Sequence, residues 1–259
     1  MIEMIKKAIA VLTIGGTIAL CSGIYGHQSI AEIPTNFGIK SKPFSKSKTH
    51  KVSTKLGDFV KLSSKDRVTN FQNQFIVYIN ESNANILRDR IRLLQIENTD
   101  DISTSDRIWL ESMMREYKAS NMHDLLVKVD VVPRSMALAQ AAIESGWATS
   151  KVARRGNVFY GQKSVKSQHH ISGRDGSEYA EYSSPLESVE NYMHNLNTSG
   201  AYAKFRAVRA HQRELNQQPN GQILSMTLSH YSTRGYDYER QINKLIHTHK
   251  WYELDNSPC

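Results

Sequence analysis

Glu144 lies in the heptapeptide Ala141-Ala142-Ile143-Glu144-Ser145-Gly146-Trp147, which closes the apolar run Ser135-Met136-Ala137-Leu138-Ala139-Gln140. A carboxyl fixed on a rigid helix and partly screened from water gains proton affinity, so it keeps a proton near neutrality. A glycosidase general acid requires that setting. Gln140 precedes Glu144 by four residues and shares its helix face. Gly146 leaves room for a close approach, and Trp147 is placed to wall the site. The plainer reading of the same residues is a solvated helix-end Glu with Trp147 in the core.

A two-carboxylate hydrolase needs its second acid at roughly 5–5.5 Å for retention, or roughly 6.5–9.5 Å for inversion. The acids in the stretch after the Glu144 helix are Asp175, Glu178 and Glu181. Turn signals at Gly173 and Asp175-Gly176, followed by a strand candidate over 177–182, predict one β-hairpin there. Strand side chains alternate, so Glu178 and Glu181 face opposite ways. Glu178 is preferred because it is nearer the turn and shares its face with Tyr182. Each of the three acids also reads as an ordinary solvated strand charge.

No Cys/His cluster has zinc spacing. His169-His170 and His247-Thr248-His249 read as strand and helix-end residues, so neither a metal nor another cofactor is expected. The two cysteines, Cys21 and Cys259, offer no internal disulfide framework once an N-terminal signal is removed.

The elements that must position these residues are mostly helical. Phe71, Phe75, Ile76 and Tyr78-Ile79 begin a first helix that runs on through Ile86, Ile91 and Leu94. Ser103 with Asp106 three residues on is a capping-box start for a second, whose Trp109, Leu110, Met113, Met114 and Tyr117 recur at helical spacing. A short helix over 123–129 follows and stops at Val131-Val132-Pro133. Ser135 reads as the cap of the Glu144 helix. Ser184-Pro185-Leu186-Glu187 is a strong helix start, with Leu186, Val189, Tyr192, Met193 and Leu196 on one buried face. Further helices are predicted over 223–231 and 236–248.

The 259-residue chain carries a formal charge of +8, unevenly spread. Residues 1–65 hold ten Lys against three acids, and residues 66–259 hold 23 Lys plus Arg against 22 acids. The body is therefore near neutral, which argues against a nucleic-acid partner. Lys6-Lys7 followed by the apolar run from Ala8 to Leu20 reads as an export signal, with an uncleaved membrane anchor still open. Ile18-Ala19-Leu20-Cys21 partly resembles a lipobox. The organisation expected is a signal or anchor over 1–26, a basic Lys/Ser/Thr tether over 27–65 and a catalytic domain over 66–259. A monomer is expected.

An ordered set of segments resembles the bacterial glucosaminidase family that cuts peptidoglycan glycan strands, the Bax-type branch above all. The set runs from Leu138-Ala139-Gln140 through Glu144-Ser145-Gly146-Trp147-Ala148-Thr149-Ser150 to Arg155-Gly156-Asn157 and Phe159-Tyr160-Gly161-Gln162. It resumes at Tyr182-Ser183-Ser184-Pro185-Leu186-Glu187-Ser188-Val189 and at Tyr231-Ser232-Thr233-Arg234-Gly235. The resemblance implies a lysozyme-like, mainly α (α+β) domain with one small β-hairpin lobe. It also implies hydrolysis of the β-1,4 bond between N-acetylglucosamine and N-acetylmuramic acid, in an exported, periplasmic or membrane-anchored protein whose partner is the peptidoglycan glycan strand. Glu144 matches the family's catalytic acid, and Tyr238 best matches its late Tyr, with Tyr236 as rival. Related enzymes often offer a Glu from the hairpin, for which Asp175, Glu178 and Glu181 are the candidates and Glu178 the preferred one; family members do not all need it, since the substrate's N-acetyl oxygen can replace it. Gln140, Trp147, Asn157, Tyr160 and Gln162 are the expected substrate-binding residues. Where the family often reads Gly-Asn-Asn-Leu-Phe-Gly, this chain has Gly156-Asn157-Val158-Phe159-Tyr160-Gly161, which loses an amide and gains a hydroxyl.

Overall fold

The computed structural model describes residues 59–164, 169–174, 176–229 and 231–256. The signal or anchor, Cys21, most of the tether, Asp175 and Cys259 lie outside the described residues. Helix α1, Ser64–Glu97, is a single 34-residue rod. Ser63 caps it by accepting from the Asp66 amide, and Phe71, Phe75, Ile79, Ile86 and Leu93 form its buried stripe. Phe59 is buried against Phe71, and Arg67 donates to the carbonyls of Phe59 and Leu62. The last residues read as tether are thus folded back onto α1.

Helices α2 (Thr104–Glu116) and α3 (Met122–Lys128) follow, capped by Ser103 and Asn121. Asn83 of α1 then grips Val132, donating to its carbonyl at 2.8 Å and accepting from its amide at 3.0 Å. This fixes the chain one residue before the turn into α4, Arg134–Ser145. Every residue from 135 to 142 in α4 is buried. Helix α1 and three later helices, α8 (Gly221–Ser225), α9 (Tyr236–Thr248) and α10 (Tyr252–Asn256), surround it, and Ala137, Ala139, Ala141 and Ala142 let them come close.

Ser135 is not the cap of α4. The capping position is Pro133, which has no side chain to offer. Instead Asp255, in the last helix α10 (Tyr252–Asn256), accepts from the Ser135 amide at 2.9 Å and from its hydroxyl at 2.6 Å. The same carboxylate accepts from the Gly221 amide at 2.9 Å. A Cβ at Gly221 would lie 2.0 Å from the Ser135 hydroxyl oxygen, so α8 (Gly221–Ser225) can meet α4 only through glycine.

Helix α5, Lys151–Gly156, leads to the predicted hairpin: β1 (His170–Ser172) pairs antiparallel with β2 (Glu178–Ala180), Ile171 opposite Tyr179. Helix α6, Pro185–Thr198, starts as predicted, with Ser184 accepting from the Glu187 amide. Helix α7, Ala203–Glu214, was not foreseen. The helix expected over 223–231 is shortened to the five residues of α8, because turns close at Met226 to Leu228. Helix α9, Tyr236–Thr248, falls where its periodicity placed it. The described chain is therefore mainly helical with one two-stranded antiparallel sheet. No described helix is long and apolar enough to cross a membrane.

Candidate active site

Glu144 occupies the last turn of α4, and the chain leaves it through an unusual bend. Gly146, Trp147 and Ala148 all take left-handed backbone angles, with φ of 57°, 58° and 61°. For the two non-glycine residues this costs of order 1–3 kcal/mol each. Local bonds hold the bend: the Trp147 amide reaches the Ala142 carbonyl, and the Ala148 amide reaches the Ser145 hydroxyl. Gly146 is exposed, with only the Thr149 hydroxyl near a would-be side chain. The close approach anticipated there occurs at Gly161. Its φ is +64°, and a Cβ would sit 2.9 Å from Glu144 Oε2.

Behind Glu144 runs a polar seam through the core. Tyr192 of α6 donates to Gln140 Oε1 at 2.7 Å, and Gln140 Nε2 donates to the Tyr238 hydroxyl at 3.1 Å. Tyr238, in α9, is hydrogen-bonded to Glu144. Stacked rings frame the seam: Tyr160 lies on Tyr192 at 3.8 Å and Tyr231 on Tyr238 at 5.5 Å, each pair within 5° of parallel. The Tyr231 hydroxyl donates to the Tyr160 carbonyl at 2.8 Å.

Burial raises the Glu144 pKa above the ordinary carboxylate value; the Tyr238 hydrogen bond and the Arg234 charge partly offset that rise. Burial also pushes the Tyr238 hydroxyl well up, with the Glu144 charge adding to it, so Tyr238 stays neutral.

The structure thus brings Glu144, Gln140 and Tyr238 together and separates other expected partners from them. Gln140 is fully buried with both amide ends engaged by tyrosines, so it supports Tyr238 and presents nothing to a ligand. Tyr160 is likewise buried, as a stacking partner. The Trp147 ring packs against Phe71, His249 and Trp251. Asn157 donates to the Tyr182 carbonyl, while Gln162 donates to Asn191 and accepts from the Tyr182 hydroxyl, tying the 157–162 loop to the hairpin and α6. Glu178 is exposed and lies 3.7 Å from His170 across the hairpin. Glu181 is exposed too. Tyr236 is 78% exposed and Tyr238 1%, which separates the two rivals. The sequence assigns no part in the site to Gly161, Tyr231 or Arg234, and gives Tyr192 only a place on a buried helix face; all four stand in or beside the quoted segments, and their spacing alone does not reveal that they converge.

Residues 119–251 match the family model described as mannosyl-glycoprotein endo-beta-N-acetylglucosaminidase. The chain belongs to the glucosaminidase family. That match spans α3 to α9 and contains Glu144, Gln140, Gly161, Tyr192 and Tyr238. A glucosaminidase-family chain so built is also similar to the protein bax of Escherichia coli (strain K12), with 34% identity over 173 residues. The match covers 64% of this chain and 63% of that relative. The catalytic domain of the autolysin Auto from Listeria monocytogenes matches 65% of this chain and 96% of its own at 20% identity, with a TM-score of 0.35. A similarity that slight carries no argument about this glucosaminidase-family chain.

Proposed function

We propose that this protein is an exported, monomeric glycoside hydrolase of peptidoglycan. It cleaves the β-1,4 bond between N-acetylglucosamine and N-acetylmuramic acid, with Glu144 as general acid. The observation that carries this reading is the seat of Glu144: a carboxyl on a rigid helix end, with raised proton affinity and a neutral tyrosine donor at its side. Family membership supports the substrate class.

In this reading Glu144 gives its proton to the glycosidic oxygen as the bond to the anomeric carbon breaks. Tyr238 then hydrogen-bonds the carboxylate left behind. The substrate's own N-acetyl oxygen then bonds to the anomeric carbon, in preference to Glu178, which is exposed and lies beside His170. Water later opens that intermediate and returns a proton to Glu144. The N-terminal 58 residues would supply export and, if uncleaved, attachment to the outer face of the membrane.

Glu144→Gln is the decisive variant. Release of reducing ends from purified peptidoglycan should fall by at least about 100-fold, with thermal unfolding unchanged. Full activity in that variant would refute the assignment. Mass spectrometry of the wild-type products tests the bond: reducing N-acetylglucosamine ends support hydrolysis, and anhydro-muramyl ends would point to a lytic transglycosylase. Glycan binding with no new ends, even after long incubation, would point to a non-catalytic envelope scaffold.

A further inference from the structure

The turn at 231–235 is pinned beside the Glu144 site. Tyr231 holds one end by stacking on Tyr238 and donating to the Tyr160 carbonyl. The Gly235 amide closes the turn on the Ser232 carbonyl at 3.0 Å, and the Arg234 amide reaches the Ser232 hydroxyl at 3.3 Å. Arg234 is exposed, and its guanidinium has no hydrogen bond or ion pair among the described residues. Its charge nevertheless reaches Glu144. Two residues on, Tyr236 is the most exposed large hydrophobic side chain among the described residues. Tyr160, Tyr192, Tyr202 and Tyr238 are all buried in the core; Tyr236 alone of this neighbourhood offers its ring to solvent.

A free cation at this place works against the acid, because it favours the deprotonated carboxyl that burial disfavours. The conflict disappears once a second anion engages the guanidinium. Arginine presents a planar fork that matches a carboxylate, and an exposed phenol ring gives a sugar an apolar face to rest on. We propose that Arg234 and Tyr236 form a recognition rim for a carboxylate-bearing sugar next to the scissile bond, with Arg234 pairing to the carboxylate and Tyr236 packing on the ring. This rests on the peptidoglycan reading above and sharpens it. The enzyme selects the muramyl strand over a neutral N-acetylglucosamine polymer, and the docked carboxylate offsets the cation that holds Glu144's proton affinity down. In peptidoglycan the carboxylate comes either from a bare lactyl group or from the stem peptide.

Binding in the inactive Glu144→Gln full chain isolates recognition from turnover. Three probes serve: glycan strands stripped of stem peptides, strands carrying them, and a neutral chitin oligosaccharide. Arg234→Gln should weaken binding to at least one muramyl probe about tenfold at low salt, and less so as salt rises, while affinity for the chitin oligosaccharide changes less than twofold. A loss confined to stripped strands assigns the lactyl carboxylate, and one confined to peptide-bearing strands assigns the stem. Equal losses on all three probes, or none, would overturn the rim. Absence of glycan binding by any form would overturn the peptidoglycan reading as well. With Glu144 intact, Arg234→Gln should move the alkaline limb of kcat/KM to higher pH and Arg234→Lys should restore it; a merely structural Arg234 would leave that limb in place.

Discussion

Tyr238 meets two demands through one hydroxyl: it accepts from Gln140 and bonds to Glu144. Removing the hydroxyl in Tyr238→Phe leaves Gln140 Nε2 buried without an acceptor, a loss of about 1–3 kcal/mol on urea unfolding. It also removes a hydrogen bond that favours the charged carboxyl, so the Glu144 pKa rises further. The alkaline limb of kcat/KM should therefore move upward in pH while kcat falls about 100-fold or more. A limb that stays put would show that the bond does not act on the acid. Glu144 was legible in the sequence because a short motif and an apolar helix surround it. Gly161 was not, because its proximity to the carboxyl comes from a chain reversal that spacing does not encode. The hairpin acids show the opposite limit: alternation gave Glu178 a face, but nothing in the sequence said that His170, across the hairpin, lies beside it in the open.

At the scale of elements, the helix that carries Glu144 is held at its far end by a residue from the end of the described chain. Asp255→Ala removes three acceptor contacts at the N-terminus of α4 and at α8. The expected cost is about 2 kcal/mol, the upper range for a lost cap, read as a lowered urea midpoint with unchanged slope. Asp255→Asn should recover part of it, since one side-chain oxygen can still accept. Activity should fall with stability in the alanine variant, because α4 sets the position of the acid. The sequence disclosed the caps that use neighbouring residues at Ser103 and Ser184. It concealed this one, because the partners are 120 residues apart. It concealed α7 for a related reason. That helix buries Arg206, Arg209 and Gln212 beside Phe205, and a polar inner face breaks the apolar periodicity by which helices are recognised. Arg209 is fully buried because it donates to the carbonyls of Val127, Lys128, Asp130 and Val131, a role that pattern reading assigns to no surface-type residue.

The molecule as a whole carries a pH response of the same sign away from the site. Burial and the nearby Glu116 charge push the Asp89 carboxyl, on α1, up to about 6. A folded-state pKa above the unfolded one favours the native state at low pH, and that contribution is lost as pH rises through about 6. Asp89→Asn keeps the shape and removes the titration. Its melting temperature relative to wild type should therefore rise between pH 4 and pH 8, by about 2–4 °C for about 1 kcal/mol after solvent screening. A constant difference across that range would remove Asp89 from the account. The proposed mechanism needs the Glu144 carboxyl protonated and Asp89 prefers protonation too, so stability and activity should decline together on the alkaline side.

The seam behind Glu144 also has a direction. Tyr192 spends its only proton on Gln140 Oε1, and Gln140 spends an amide proton on the oxygen of Tyr238. That leaves the Tyr238 proton to the Glu144 side, where the hydroxyl lowers the carboxyl's pKa. A chain of donors that starts in α6 thereby ends beside Glu144, so the orientation of the Tyr238 hydroxyl is set by residues of α6 and α4.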